Sequence, residues 1–384
     1  MKADSSTVRI INRKSIIDAI YNNDGVSKTA LATRLNLSKP SISRNVADLI
    51  AMGIVKEMGE GESTKHGGKK PTKLCFNGSY RYIAALELST KQPACAVGDL
   101  NCNMLRLVKI DVSRDDSADV KKQRIVHAFS RMLESSGIPL EKLELIVISQ
   151  PGQIGMFNTV LYVDAMHHPW TNIGLQAHLE AHFKIPVMLK NDVRMAALGE
   201  MNMGDGKQYQ SLIYVSCGIG LGSCIIYKRQ LFEGDRHAAG ELGAFLMPDG
   251  KRVEEIVSMD ALLKRISNIY MNNNIKAEAL DFEEVVKKSL SGDAYVNQGL
   301  REIGSILGRV VYNYCVMLDI STVILGGDYV RLGSALLEGM ESEVKQTFLP
   351  INITIQKSSL REAAGIFGCF VVAKDAILQS KVYS

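Results

Sequence analysis

From residue 81 to residue 377, short apolar runs that read as strands alternate with longer amphipathic runs that read as helices, and glycines mark the strand ends. That alternation restricts this part of the chain to an α/β architecture, in which binding sites lie at the strand ends. Residues 81–88 read as the first strand, and 94–99 and 104–110 as the next two strands of a meander. A helix over 119–137 leads to a strand over 143–149 that stops at Gln150-Pro151-Gly152. A helix over 173–183, a strand over 186–190 and a helix over 193–203 follow, with Asn191-Asp192 at the strand-to-helix turn. Strands over 211–217 and 223–227 flank Gly218-Ile219-Gly220-Leu221-Gly222. A helix over 297–318 feeds a strand over 322–325 with Gly326-Gly327, and a helix over 363–377 closes the series. The prediction is a body of two α/β lobes over residues 79–384, with no short-period repeat.

Residues 1–78 break the pattern. They hold 13 Lys and Arg against 7 Asp and Glu, a net of +6 on a chain whose total is +4. A basic head on a near-neutral body points to a polyanion, although an ordinary small basic domain has the same charge. The order of elements favours the polyanion. A helix is predicted over 6–22, a second from the Ser27 cap to Leu35, and a third from the Ser38 cap, with Pro40 in its first turn. Ile42, Val46, Leu49 and Ile50 give the third helix a core stripe. Lys39, Ser41, Ser43, Arg44 and Asn45 are assigned to its other face, and they carry the chemistry that base edges and phosphates require. Strands over 54–58 and 73–77 enclose a Gly- and Lys-rich stretch ending Gly67-Gly68-Lys69-Lys70-Pro71. By itself that stretch reads as a solvated hairpin loop. After three helices it reads as the basic wing of a winged helix-turn-helix, with Lys69 and Lys70 placed for a minor groove or phosphates.

The 46% hydrophobic content excludes a disordered chain, and no apolar run approaching the roughly 18 residues of a membrane span is read from the sequence. The seven cysteines form no CxxC pair, which argues against a disulfide framework or a Cys-rich zinc site and fits a reducing cytoplasm.

Three blocks of the body carry a family resemblance: Asn191-Asp192 with Ala196-Ala197-Leu198-Gly199-Glu200, Gly218-Ile219-Gly220-Leu221-Gly222, and Ala239-Gly240-Glu241-Leu242-Gly243. Over nearly its whole length the chain resembles the ROK family (repressors, open reading frames and kinases) on the actin/hexokinase-like fold. The basic head resembles the repressor branch. The resemblance implies a sugar site in which Asn191 and Asp192 bind hydroxyls, with Asp192 the position of the general base in kinases, and Glu241 and Glu254 as further carboxylates. Taken alone, Asn191-Asp192 more commonly marks a helix cap, and Glu254 also reads as a surface acid at a helix start; the match across the flanking helix favours the ligand role for the pair.

The chain departs from the family pattern in two places. Ala244 stands where the family has a zinc-binding His, and no Cys lies between residues 225 and 314, so no metal is expected. The first phosphate turn reads Glu87-Leu88-Ser89-Thr90-Lys91 where the kinases have Asp, two glycines and Thr, and Cys217 stands where a Thr hydroxyl is preferred. Phosphate oxygens need glycine for close backbone approach, so the ATP site reads as vestigial and no cofactor is expected.

These features predict a cytoplasmic transcriptional repressor of a carbohydrate-related regulon that binds operator DNA as a homodimer or homotetramer and responds to a sugar-like effector. The alternatives are an active ATP-dependent sugar kinase with a regulatory head, and a ligand-blind repressor or protein-docking scaffold.

Overall fold

The computed structural model describes residues 5–60, 72–88, 92–113, 115–154, 160–162, 170, 173–275, 280–345 and 352–383. The head is built from α1 (Ser5–Tyr21), β1 (Val26–Ser27), α2 (Lys28–Leu35), α3 (Lys39–Ala51), β2 (Val55–Glu60) and β3 (Thr72–Phe76). Both expected caps form: Ser27 accepts from the Ala30 amide at 3.2 Å and Ser38 from the Ser41 amide at 3.3 Å. Asn36, left-handed at φ 51°, ends α2 and makes the turn into α3. The strand pair gains β1 as a third strand, in the order β1-β3-β2.

The first lobe holds β4 (Tyr82–Glu87), β5 (Ala94–Asp99), β6 (Met104–Lys109), α4 (Ala118–Ser136), β7 (Leu143–Gln150), β8 (Gln153–Ile154), β9 (Val160–Tyr162), α5 (Leu175–Phe183), β10 (Val187–Asn191) and α6 (Asp192–Met203). The second holds β11 (Leu212–Cys217), β12 (Leu221–Tyr227), β13 (Gln230–Leu231), α7 (Val253–Val257), α8 (Met259–Asn272), α9 (Phe282–Leu290), α10 (Ala294–Leu318), β14 (Thr322–Gly326), α11 (Ala335–Val344) and β15 (Thr354–Lys357). The chain then returns to the first lobe as α12 (Ala364–Val382).

The two large sheets run β10-β7-β4-β5-β6 and β15-β14-β11-β12-β13. In each, the first strand pairs antiparallel with the second and parallel with the fourth. The lobes therefore share one topology, a duplication invisible in the residue pattern.

Strand alternation sends two faces of the first sheet to different cores. Ala84, Leu86, Ile146 and Ile148 pack with Phe129 of α4 and Leu179 of α5. Ile83, Ala85 and Val147 pack with Met195 and Met201 of α6 and with Ile366, Phe370 and Ile377 of α12. That second core continues into Leu212, Tyr214 and Ile324 of the other sheet and into Ile16, Ile20 and Leu49 of the head. The pair α6–α12 thus lies between the two sheets. The two helices meet without intervening side chains, since a Cβ on Gly199 would overlap the Ala364 carbonyl and one on Gly368 the Met195 carbonyl.

The sequence reading of the membrane question needs correction. The segment Arg361–Val382 is long and apolar enough to cross a membrane by length and composition, with more than half of its tested stretch buried inside the protein. A helix pressed between two sheets needs that apolar surface on most sides.

Candidate functional site: a DNA-reading face and an interlobe cleft

In the head, Lys39, Ser43 and Arg44 are exposed on α3 and Ser41 is partly so, forming one outward face with Pro40 and Ala47. Asn45, expected on this face, does not join them. It is 5% exposed, its amide nitrogen donates to the Ser41 carbonyl at 2.9 Å, and its side-chain oxygen is buried without a partner. Position 45 lies three residues after Ile42 and one before Val46, so helical phase turns it to the core. Thr33 and Arg34 on α2 are exposed as well and were not singled out from sequence. Asp48 of α3 accepts from Arg9 at 2.6 Å and Arg13 at 2.9 Å, which fastens α3 to α1 and holds its carboxyl below the usual range. Lys69 and Lys70 lie outside the described residues.

The second site is at the carboxyl end of β10. Asn191 caps α6, its Oδ1 accepting from the Arg194 amide at 2.9 Å. Its Nδ2 donates to the Gly152 carbonyl at 2.9 Å and to Asp192 Oδ1 at 3.1 Å. Both amide hydrogens are therefore used within the protein, and Asn191 aims Asp192. Burial pushes the Asp192 carboxyl up to about 6, against two backbone N–H groups that favour its charge, with the Glu241 carboxylate adding to the rise. Glu241 is itself raised by desolvation, with Arg194 opposing. Glu254 accepts from the Leu221 amide at 3.0 Å, and its charge reaches Glu241. The structure brings Asp192, Glu241 and Glu254 into one electrostatic cluster, with Glu254 committed to the turn before β12.

Cations also enter the cleft. Arg194 lies 3.3 Å from Glu233 and donates to the His237 carbonyl, and His237 Nδ1 lies 3.4 Å from Glu233. Lys190 feels both Glu233 and Arg194, and burial lowers its pKa. Gln153 donates to the Arg236 carbonyl at 3.1 Å. Arg194 and Gln153 belong to the first lobe and Glu233, Arg236 and His237 to the second, so these bonds tie the lobes across the cleft. Two cations flanking Asn191-Asp192 in sequence were the available signal for this.

On the phosphate side, Glu87 is 2% exposed, and a Cβ on Gly365 at the start of α12 would overlap its carboxylate. A Cβ on Gly218 would lie 2.6 Å from Asp328 Oδ2, and one on Gly220 2.5 Å from Glu254 Oε1. Carboxylates thus press on the glycine turn where phosphate oxygens would need approach. Cys217 is buried, and residues 89–91 of the first turn lie outside the described set. At Ala244 the chain continues into Phe245, whose ring packs edge-on against Tyr314 at 5.6 Å. Among the described residues no cluster of three His, Cys, Asp or Glu is arranged to hold a metal ion.

The model of the ROK family matches residues 83–376, most of the chain. The chain belongs to the ROK family. Its head matches the winged helix-turn-helix DNA-binding model over residues 11–56. The ROK body and the winged head are joined in the same order in similar proteins. The xylose repressor of Lactiplantibacillus pentosus is 25% identical over 94% of this chain and 92% of its own length. A ROK transcriptional regulator described as a homologue of the Escherichia coli Mlc protein superposes with a TM-score of 0.81 at 20% identity, over 98% of this chain and 99% of the other. A ROK glucokinase from Streptomyces griseus, solved with glucose and AMPPNP, gives a TM-score of 0.65 at 21% identity over 77% of this chain and 99% of its own. The ROK fold is therefore common to regulators and kinases, and the fold alone does not choose between them.

Proposed function

We propose that this chain is a DNA-binding transcriptional repressor of a carbohydrate-related regulon, that a sugar-like molecule in the interlobe cleft is its effector, and that kinase activity has been lost. The observation that carries the reading is the solvent-facing set Lys39, Ser43 and Arg44 on a capped third helix, fused to a ROK body. That helix has the chemistry and position of a recognition helix, and similarity to a xylose repressor spans both parts. Ser41 lies at its edge, and Lys69 and Lys70 supply the wing's phosphate contacts. The protein acts in the cytoplasm, where its operator is, as a homodimer or homotetramer whose paired heads match paired half-sites.

In the cleft, Asp192 and Glu241 are acceptors for hydroxyls, Asn191 orients Asp192, and Glu254 holds the adjoining turn. A carboxylate takes two hydroxyls at once, and the desolvation that raises Asp192 is relieved when a polyol supplies donors. Asp328 and Glu254 support loss of ATP chemistry, because each presents an acceptor at the glycine turn where a phosphate would need donors. No metal or cofactor enters this account.

The test has two arms. DNA fragments retained by the purified protein are sequenced and titrated with neutral sugars, amino sugars and sugar phosphates, and the same panel is assayed with ATP for phosphorylation. The reading expects a sugar-dependent change in DNA affinity and no phosphoryl transfer. ATP-dependent turnover abolished by Asp192→Asn would establish the kinase reading instead.

A further inference from the structure

The head is not attached to the body by covalent continuity alone. Tyr21 at the end of α1 lies under Lys374 of α12, with Nζ 4.3 Å from the ring centroid, and Lys374 lies 3.7 Å from Asp375. The Tyr21 hydroxyl donates to the Asn101 carbonyl at 3.4 Å, and the Leu100 amide to the Gly78 carbonyl at 3.0 Å. Lys14, Asp18 and Tyr21 of α1, Lys374 and Asp375 of α12, and Tyr383 just beyond it border a cavity of about 250 Å³ between the helices. Asp99 and Cys102 of the β5–β6 turn complete the surroundings of Tyr21. Lys14, Asp18 and Asp375 stand open to solvent at the rim of this seam, and Lys374 lies largely covered over the Tyr21 ring.

Such a seam is suited to set an orientation and to open. Charges that stay in water attract each other weakly, so a contact rimmed by them fixes register without the binding strength of an apolar one. The same helix α12 crosses α6 backbone against backbone at Gly199 and Gly368, and the first residue of α6 is Asp192. Beyond the seam, Arg9 and Arg13 carry α1 onto Asp48 of α3. The path from Asp192 to the recognition helix therefore runs through the packed pairs α6–α12 and α1–α3, joined at the seam by side chains around Tyr21 and Lys374, without passing through the second lobe.

We propose that the α1–α12 seam, centred on Tyr21, Lys374 and Asp375, locks the head onto the first lobe and is the switch through which the state of the cleft reaches α3. This rests on the regulatory reading above, and its test uses neither DNA nor sugar, so the two can fail separately.

Amide hydrogen exchange is followed on the full-length chain in four forms: wild type, Lys374→Gln with Asp375→Asn, Asp192→Asn, and the two combined. The seam variant should raise exchange over Ile16–Tyr21 by tenfold or more while α4 and α10 keep wild-type protection, which also establishes that the body is folded. Asp192→Asn should change exchange over Ile16–Tyr21 at least twofold in the wild-type background and leave it unchanged in the seam variant. Should the double change disturb the body, Lys374→Gln alone serves, with the same directions expected. The proposal is overturned if the seam variants leave α1 within twofold of wild type, if Asp192→Asn leaves α1 unaltered, or if it alters α1 equally in both backgrounds.

Discussion

Asp192 is the residue on which the cleft chemistry turns, and its environment makes a signed prediction. Its carboxyl is raised from 3.8 to about 6 in the folded protein. The folded state therefore binds a proton more readily than the unfolded state between those values, and stability falls as pH rises through that window. Asp192→Asn should stabilise the protein by up to about 3 kcal/mol at pH 7.5 and by almost nothing near pH 4, as read from urea unfolding at both pH values. Equal effects at the two would show that the carboxylate is not desolvated as described. In the head, Arg44 and Asn45 are neighbours with opposite fates. Arg44→Ala should weaken specific DNA binding by about 1–3 kcal/mol with little effect on folding. Asn45→Ala should act on folding and leave base preference unchanged, since its side chain faces the core. Both readouts come from one set of DNA titrations and melts. The spacing of Asn45 from Ile42, Val46 and Leu49 sets it on the core stripe, so its burial is legible from helical phase alone. The carboxylates around the glycine turn were not so legible. Asp328 and Glu254 reach Gly218 and Gly220 from distant positions, and only the tertiary fold brings them together.

At the scale of elements, the crossing of α6 and α12 is the tightest structural constraint. Gly199→Ala should cost about 3 kcal/mol in unfolding, because the added methyl has only backbone to displace. Gly137→Ala is the control. At φ 67° with nothing within 4 Å, that glycine carries only conformational strain, worth about 1 kcal/mol. A ranking in the reverse order would mean that the helices are less closely packed than described. Most elements were readable because their ends are chemically marked: Ser27, Ser38 and Asn191 cap helices, and Gly137 ends α4. The region holding α7, α8 and α9 went unread although Asp281 caps α9 through the Glu284 amide at 2.8 Å. Its helices carry few of the glycines that punctuate the rest of the body. Neither the shared strand order of the lobes nor the seam on α12 follows from local pattern, since both are pairings between residues far apart in the chain.

The whole molecule joins a head whose third helix faces solvent with Lys39, Ser43 and Arg44 to a two-lobed ROK body, with α6 and α12 packed between its two sheets. Its glycine turn is backed by the Asp328 and Glu254 carboxylates, the feature on which the proposed loss of kinase activity rests. The most direct measurement is the affinity of the full-length protein for a DNA fragment it selects from its own genome, taken across the sugar panel for wild type and Asp192→Ala. The account predicts that at least one sugar shifts wild-type affinity tenfold or more, and that Asp192→Ala binds the same DNA but does not respond. It also predicts that removing residues 1–78 abolishes binding. Undiminished DNA binding without the head, or a normal sugar response in Asp192→Ala, would contradict it.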